Sequence, residues 1–134
     1  MSECIFCSIV DHKVPADFLF EDDLVIAVMD IDPANPGHVL VIPKRHSNDL
    51  SSAPESDLAA LIAVCAKVGI LQKIRISANG FNILSASGKD AQQSVFHTHF
   101  HVIPRFADDG FDLWVHGKTR IQMSQRDAFL LMKK

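Results

Sequence analysis

The chain has 134 residues, 48% apolar and 22% charged, with a formal net charge of −3. That is the length of one ordinary domain, 1–134, able to bury roughly two-thirds of the surface its unfolded form exposes without disulfide staples. The apolar fraction excludes disorder over most of the chain, and the charge excludes a general nucleic-acid binder, which carries a basic excess. No apolar run approaches the ~18 residues that span a bilayer. The stretch MSECIFCSIV has no basic region ahead of its apolar residues, so the expected setting is cytoplasmic, away from membranes.

In chain order, residues 4–10 predict one or two helical turns. Phe18 to Glu21 and Leu24 to Asp30 predict two strands around the turn residues Asp22 and Asp23. Pro33, Asn35, Pro36 and Gly37 predict a rigid loop. His38 to Pro43 is a β-type run, too short for a helix and ended by proline. Pro54 and Glu55 suit the start of a main helix within Ser52 to Ile74. Leu58, Leu61, Ile62, Cys65 and Val68 would form its apolar face, with Gly69 weakening its far end. Asn79-Gly80 turns the chain into a strand at Phe81 to Leu84, a polar loop covers 85–93, and Val95 to Pro104 predicts another strand. Ser124 can cap a last short helix through Met132. Strands on both sides of one central helix indicate α+β with a mostly antiparallel sheet.

Three cysteines and seven histidines stand out. An odd cysteine count without an export signal does not read as a disulfide framework. His97, His99 and His101 alternate. On a strand they would share one face, with imidazoles about 6.5–7 Å apart, while Phe96, Phe100 and Val102 could join the core behind them. Imidazoles that close repel when charged, so most should be neutral near pH 7, and a neutral imidazole can be a metal ligand or a nucleophile. Cys4-x-x-Cys7 is a zinc spacing that redox motifs also use, though no βαβ context supports the redox reading. Cys65 reads as core, and His12 and His116 read as surface residues without partners.

The run His97-Thr-His-Phe-His-Val-Ile-Pro104, with Gln93-Ser94-Val95-Phe96 before it, resembles the signature of the histidine triad (HIT) family. Glu21-Asp22-Asp23, Asp30-Ile31, Gly37-His38 through Lys44 and His46 resemble that family's N-terminal half in the same order. The likeness covers about 4–106, leaving a tail at 107–134 that matches nothing specific.

The resemblance implies a HIT-like fold, a five-stranded antiparallel sheet with one main helix and short N- and C-terminal helices, dimerising as a homodimer. It implies a hydrolase or transferase attacking the α-phosphate of a purine nucleotide conjugate: a phosphoramidate, an adenylate or a dinucleoside polyphosphate. His99 would be the nucleophile, forming a nucleotidyl-histidine. His101, His38 and Ser94 would serve the phosphate and leaving group, and Gln93 would position the phosphate. Asp30 would hold the ribose, and Ile5, Phe6, Ile9, Val28 and Ile31 the base. A branch of the family also implies a structural zinc on Cys4, Cys7, His46 and His97.

Ser85, Ser87 and Gln92 depart from the family's loop, which carries asparagines and a glycine there. That departure supports an alternative: a nucleotide-binding regulatory protein with little turnover. A third reading makes the histidine row the ligands of a hydrolytic zinc.

Overall fold

The structure is a computed structural model and describes residues 3–133. Five strands form one antiparallel sheet: β1 (Phe18–Glu21), β2 (Val25–Met29), β3 (Val39–Pro43), β4 (Gly80–Leu84) and β5 (Phe100–Arg105), in the spatial order β1-β2-β3-β5-β4. β1 and β2 form a hairpin because Asp22 Oδ1 accepts hydrogen bonds from the amides of Leu24 and Val25, both at 2.8 Å, which closes the turn.

The long helix α2 (Glu55–Arg75) covers one face of the sheet, and the short helix α1 (Ile5–Val10) covers part of the other. Strand alternation divides the core between them. Val25, Ala27, Val39, Val41 and Val102 pack under α2 with Leu61, Val64, Cys65 and Val68. Ile26, Val28 and Ile42 point the opposite way and pack with Phe6 of α1. With both faces covered, β2 and β3 are apolar at nearly every position, which is why the period of two is faint in their sequence.

α2 starts after Pro54, with Glu55 and Asp57 in its first turn and Lys73 and Arg75 in its last, each charge opposing the helix dipole at its end. Ahead of it, Leu50–Ser52 is a separate 3₁₀ turn capped by Asp49. The buried face of α2 is Leu61, Val64, Cys65, Val68, Gly69 and Gln72, so it is Val64 rather than the half-exposed Ile62 that faces the sheet. The helix also runs through Gly69 to Arg75. That glycine lets the Phe81 ring approach, since a Cβ there would lie 2.5 Å from ring carbons.

The predicted strand at 95–104 is the largest difference. Regular pairing starts only at Phe100, and residues before it are held by isolated backbone and side-chain bonds instead. The Thr98 amide donates to Ser47 O at 2.8 Å, and the Ser47 and Thr98 hydroxyls pair at 2.7 Å, both groups buried. Phe96 is half exposed rather than in the core. After β5 the chain runs without regular structure to α3 (Gln125–Met132), where the Ser124 hydroxyl accepts from the Asp127 amide as an N-cap. His12 and His116 are exposed but partnered, with Glu21 at 3.2 Å and Asp112 at 3.1 Å. No helix among the described residues is long and apolar enough to cross a membrane.

Candidate active site and metal centre

Three segments converge on the α1 side of the sheet: the loop 30–38, residues 93–101, and α1. Phe6 stands edge-on to both His97 and His99, with ring centroids 5.9 and 4.9 Å away, and His99 and His101 lie 5.2 Å apart. A hollow of about 320 Å³ opens beside them. His99, His101, Ser94 and Asp30 line its polar side, and Ile5, Phe6, Ile9, Val28, Ile31 and Leu40 its apolar side. A hollow of that size with few convergent polar groups suits a small organic ligand. Ile31 is 98% exposed, an apolar side chain held out at its rim.

Each imidazole has one nitrogen committed, and the partner dictates where its proton sits. His99 Nδ1 lies 2.8 Å from the carbonyl of His97, which can only accept, so Nδ1 carries the hydrogen and Nε2 keeps the lone pair. His97 Nε2 donates to Pro43 O at 2.8 Å, which leaves its lone pair on Nδ1. The Ala34 amide donates to His38 Nδ1 at 3.0 Å, so His38 is protonated on Nε2 and donates to His101 Nδ1 at 2.9 Å. His101 then carries its own hydrogen on Nε2.

Burial favours these neutral forms. It pushes His99, His38 and His97 below the usual imidazole value. For His99 the His97 carbonyl and Asp30 oppose it, and for His38 Asp30 alone does. His101 is pushed to about 4, first by burial and then by repulsion from His99 and His38, against the attraction of Asp30. Asp30 Oδ1 accepts from the Asp32 amide at 2.8 Å, and Oδ2 faces His38 Nε2 at 3.4 Å.

Ser94 is exposed at the rim. Gln93 is buried, and its amide is given to backbone: Oε1 accepts from Gly88 N, while Nε2 donates to Asn48 O and Val95 O. It bears on the hollow through the loop it shapes. Ser85 donates to His99 O at 2.7 Å and so braces the segment carrying that histidine, whereas Ser87 accepts from the Leu50 amide. Gln92 adopts a left-handed backbone at φ +71°, the conformation that explains a glycine preference there.

Behind the histidines lies a second cluster. The Sγ atoms of Cys4 and Cys7 and the Nδ1 atoms of His46 and His97 all lie within 4.8 Å of one another. Their recorded separations are 3.3 Å (Cys4–His97), 3.4 Å (Cys7–His46), 3.5 Å (Cys7–His97) and 3.1 Å (His46–His97). A tetrahedron with bonds of about 2.0–2.3 Å has edges of about 3.3–3.8 Å, so this donor set fits zinc in size as well as chemistry. Both imidazoles are oriented by their other nitrogen, His97 on Pro43 O and His46 on Asn48 Oδ1 at 3.1 Å, the usual arrangement around a ligating histidine.

Asp30, His38 and His101 form another close group. There the Ala34 amide occupies His38 Nδ1 and puts a proton on Nε2, so the group is a hydrogen-bonded chain rather than a ligand set. Among the described residues the triad histidines do not converge on one metal: His97 and His101 belong to different groups and His99 to neither.

Sequence reasoning missed several contributors. Asn35, Ser47, Asn48 and Gln72 support the site through backbone carbonyls, and Val14, Pro15 and Ala16 line the hollow. The only signal for the first was an asparagine inside a Pro/Gly loop next to His38.

Residues 11–108 match the HIT domain. An uncharacterized HIT-like protein of Borreliella burgdorferi is 44% identical over 127 residues, 93% of this chain and 91% of its own length. The adenylylsulfatase HINT3 of Arabidopsis thaliana is 39% identical over 122 residues, 89% of this chain but 59% of that longer protein. The crystal structure of a zinc-bound histidine triad family protein from Mycobacterium smegmatis superposes with a TM-score of 0.79 at 37% identity, over 87% of this chain and 84% of that one. With that domain matched over most of its length and a 44% identical relative aligned to 93% of it, the chain belongs to the HIT domain family.

Proposed function

We propose that the protein is a nucleotidyl hydrolase or transferase acting on the α-phosphate of a purine nucleotide conjugate. The observation that carries this is the state of His99. Its Nδ1 proton is held by the His97 carbonyl, its Nε2 lone pair is available, and burial keeps the ring neutral beside a ligand-sized hollow. Imidazole nitrogen is a good nucleophile in that state. In the first step a bond forms from His99 Nε2 to phosphorus and the bond from phosphorus to the leaving atom breaks. The leaving atom accepts a hydrogen bond from the His101 Nε2–H and takes its proton from solvent water, with Ser94 and His38 at hand for the phosphate. Water then opens the phosphoramidate in the reverse sense. Asp30 accepts the ribose hydroxyls, the apolar wall takes the base, and Gln93 holds the loop whose amides meet the phosphate charge.

Cys4, Cys7, His46 and His97 would hold zinc as a closed, structural site. Bound there, the ion would tie α1, the segment after β3 and the triad segment together. A low-turnover nucleotide binder remains the second reading, favoured by the side chain at Gln92, where the family's pattern carries glycine.

Alkaline quenching of a reaction with α-labelled substrate tests the mechanism, because phosphohistidine survives alkali. Label should appear on the peptide holding residues 97–101 and vanish in His99→Ala. Rapid turnover by wild-type protein without label would sink the covalent step. Labelling with negligible turnover would favour the binder.

A further inference from the structure

The direction of the His38–His101 hydrogen bond is set by one backbone amide, that of Ala34, standing 3.0 Å from His38 Nδ1. Neutral imidazole has two tautomers of similar energy, so a neighbour must choose between them. If the Ala34 amide withdrew, His38 could move its proton to Nδ1. It would then face His101 with a lone pair, and the His38–His101 chain would lose its direction. What holds the Ala34 amide in place decides the chemistry.

Residues 30–38 contain no helix or strand; one backbone bond, from the Asp30 amide to His38 O at 3.0 Å, closes the ends of the loop, and side chains fix its middle. Asn35 is 8% exposed and sits in its middle. Its Nδ2 donates to Pro104 O at 3.0 Å and to Asp109 Oδ2 at 2.9 Å, and its own carbonyl accepts from the His38 amide at 3.1 Å. Asp109 lies beyond the last strand, with a side chain 9% exposed. It accepts from Arg105 Nε and Nη2 and from the Phe106 and Phe111 amides as well as from Asn35. Gln72 of α2 secures the other end of the loop by donating from Nε2 to Gly37 O at 2.9 Å. The backbone at Gly37 has φ +93°, and a Cβ there would lie 2.4 Å from Ile76 Cδ1, so the loop is wedged close against that residue.

We propose that Asn35 and Asp109 are positioning residues for the His38–His101 pair: their clamp holds the loop so that the Ala34 amide fixes a single tautomer on both imidazoles. Neither touches the hollow. Asp109 reaches the chemistry from the segment after β5, outside the histidine motif. Arg105 and the surrounding amides hold its carboxyl far below the usual carboxylate range. It therefore stays an acceptor across the working pH.

The test compares wild type with Asn35→Ala and Asp109→Asn, each checked for folding by circular dichroism. Nitrogen-15 spectra of the imidazoles in the free protein should show His38 protonated on Nε2 alone in wild type and an average of both tautomers in the variants. Turnover should drop roughly ten- to a hundredfold, with KM within about twofold, as expected when a catalytic group is misplaced but the ligand still binds. Variants that melt earlier yet keep one tautomer and wild-type kcat would overturn the proposal and leave the clamp a purely structural one. Should Asn35→Ala fail to fold, Asp109→Asn, which keeps the side-chain shape, decides by the same measurements. The kinetic arm rests on the function proposed above; the tautomer arm does not. Turnover that survives His99→Ala would refute that function and still leave the spectra to judge the clamp.

Discussion

At the scale of single residues, backbone groups set the protons of the site. His99, His97 and His38 each have one ring nitrogen tied to a backbone group, so the chain itself dictates which nitrogen stays available. The same burial that keeps the rings neutral has a consequence for stability. The unfolded chain begins to protonate its histidines near pH 6.5, whereas native His101 does so only near 4. Between those values the unfolded state binds more protons, so stability falls as pH drops from 6.5 toward 4 and levels off below. The His101 contribution is on the order of 3 kcal/mol across that window. Urea unfolding at several pH values should show a shallower slope in His101→Gln than in wild type, and an unchanged slope would remove the assignment. Asp30 offers a second test. Asp30→Ala deletes the proposed ribose acceptor, and hydrogen bonds to a charged group are worth about 1.5–3 kcal/mol each. Nucleoside monophosphate affinity, read by calorimetry, should fall at least roughly tenfold; equal affinity would mean the ribose sits elsewhere.

At the scale of elements, two histidines occupy an unusual place just ahead of a strand. The alternation His97-Thr-His-Phe-His was legible in the sequence, and with it the candidate residues on one side of the sheet. The shape of residues 97–99 was not, because the bonds that shape them come from Ser47, Pro43 and Ser85, which are 12 or more positions away. α2 shows the converse. Gly69 looks in sequence like a weak point, but in the helix it is a close contact with Phe81 of β4. Helix propensity alone says that Gly69→Ala should gain about 1 kcal/mol. Forcing a methyl of α2 against a ring packed between that helix and the sheet costs about 1–3 kcal/mol. The second effect wins, so Gly69→Ala should lower the melting temperature, and a rise would show that Phe81 yields freely.

At the scale of the whole molecule, three distant segments meet at the thiol–imidazole cluster. α1 supplies Cys7, with Cys4 at its cap, the stretch after β3 supplies His46, and the triad segment supplies His97. The free energy of a metal bound there is partly folding free energy. Cys7→Ser should therefore lose zinc and thermal stability together, as measured by metal analysis and calorimetry on the same sample. Full metal content in that variant would rule the site out. Assembly is a further expectation. β4 is an edge strand, and Trp114, Val115 and Ile121 in the segment beyond β5 are exposed. Edges and apolar surface of this kind are usually covered. Sedimentation equilibrium at micromolar concentration should give a homodimer, and monomer alone would count against it.

The sequence by itself determined the class of fold, the histidine row and the Cys-x-x-Cys pair, because periodicity and ligand spacing are local properties. The tertiary structure alone decided which nitrogen of each imidazole keeps its lone pair. It alone decided that Gln93 serves the backbone and that Asn35 and Asp109 stand behind His38. Those outcomes depend on carbonyls, amides and carboxylates brought within about 3 Å from remote parts of the chain, and hydrogen bonds at that range leave no periodic trace in the order of residues.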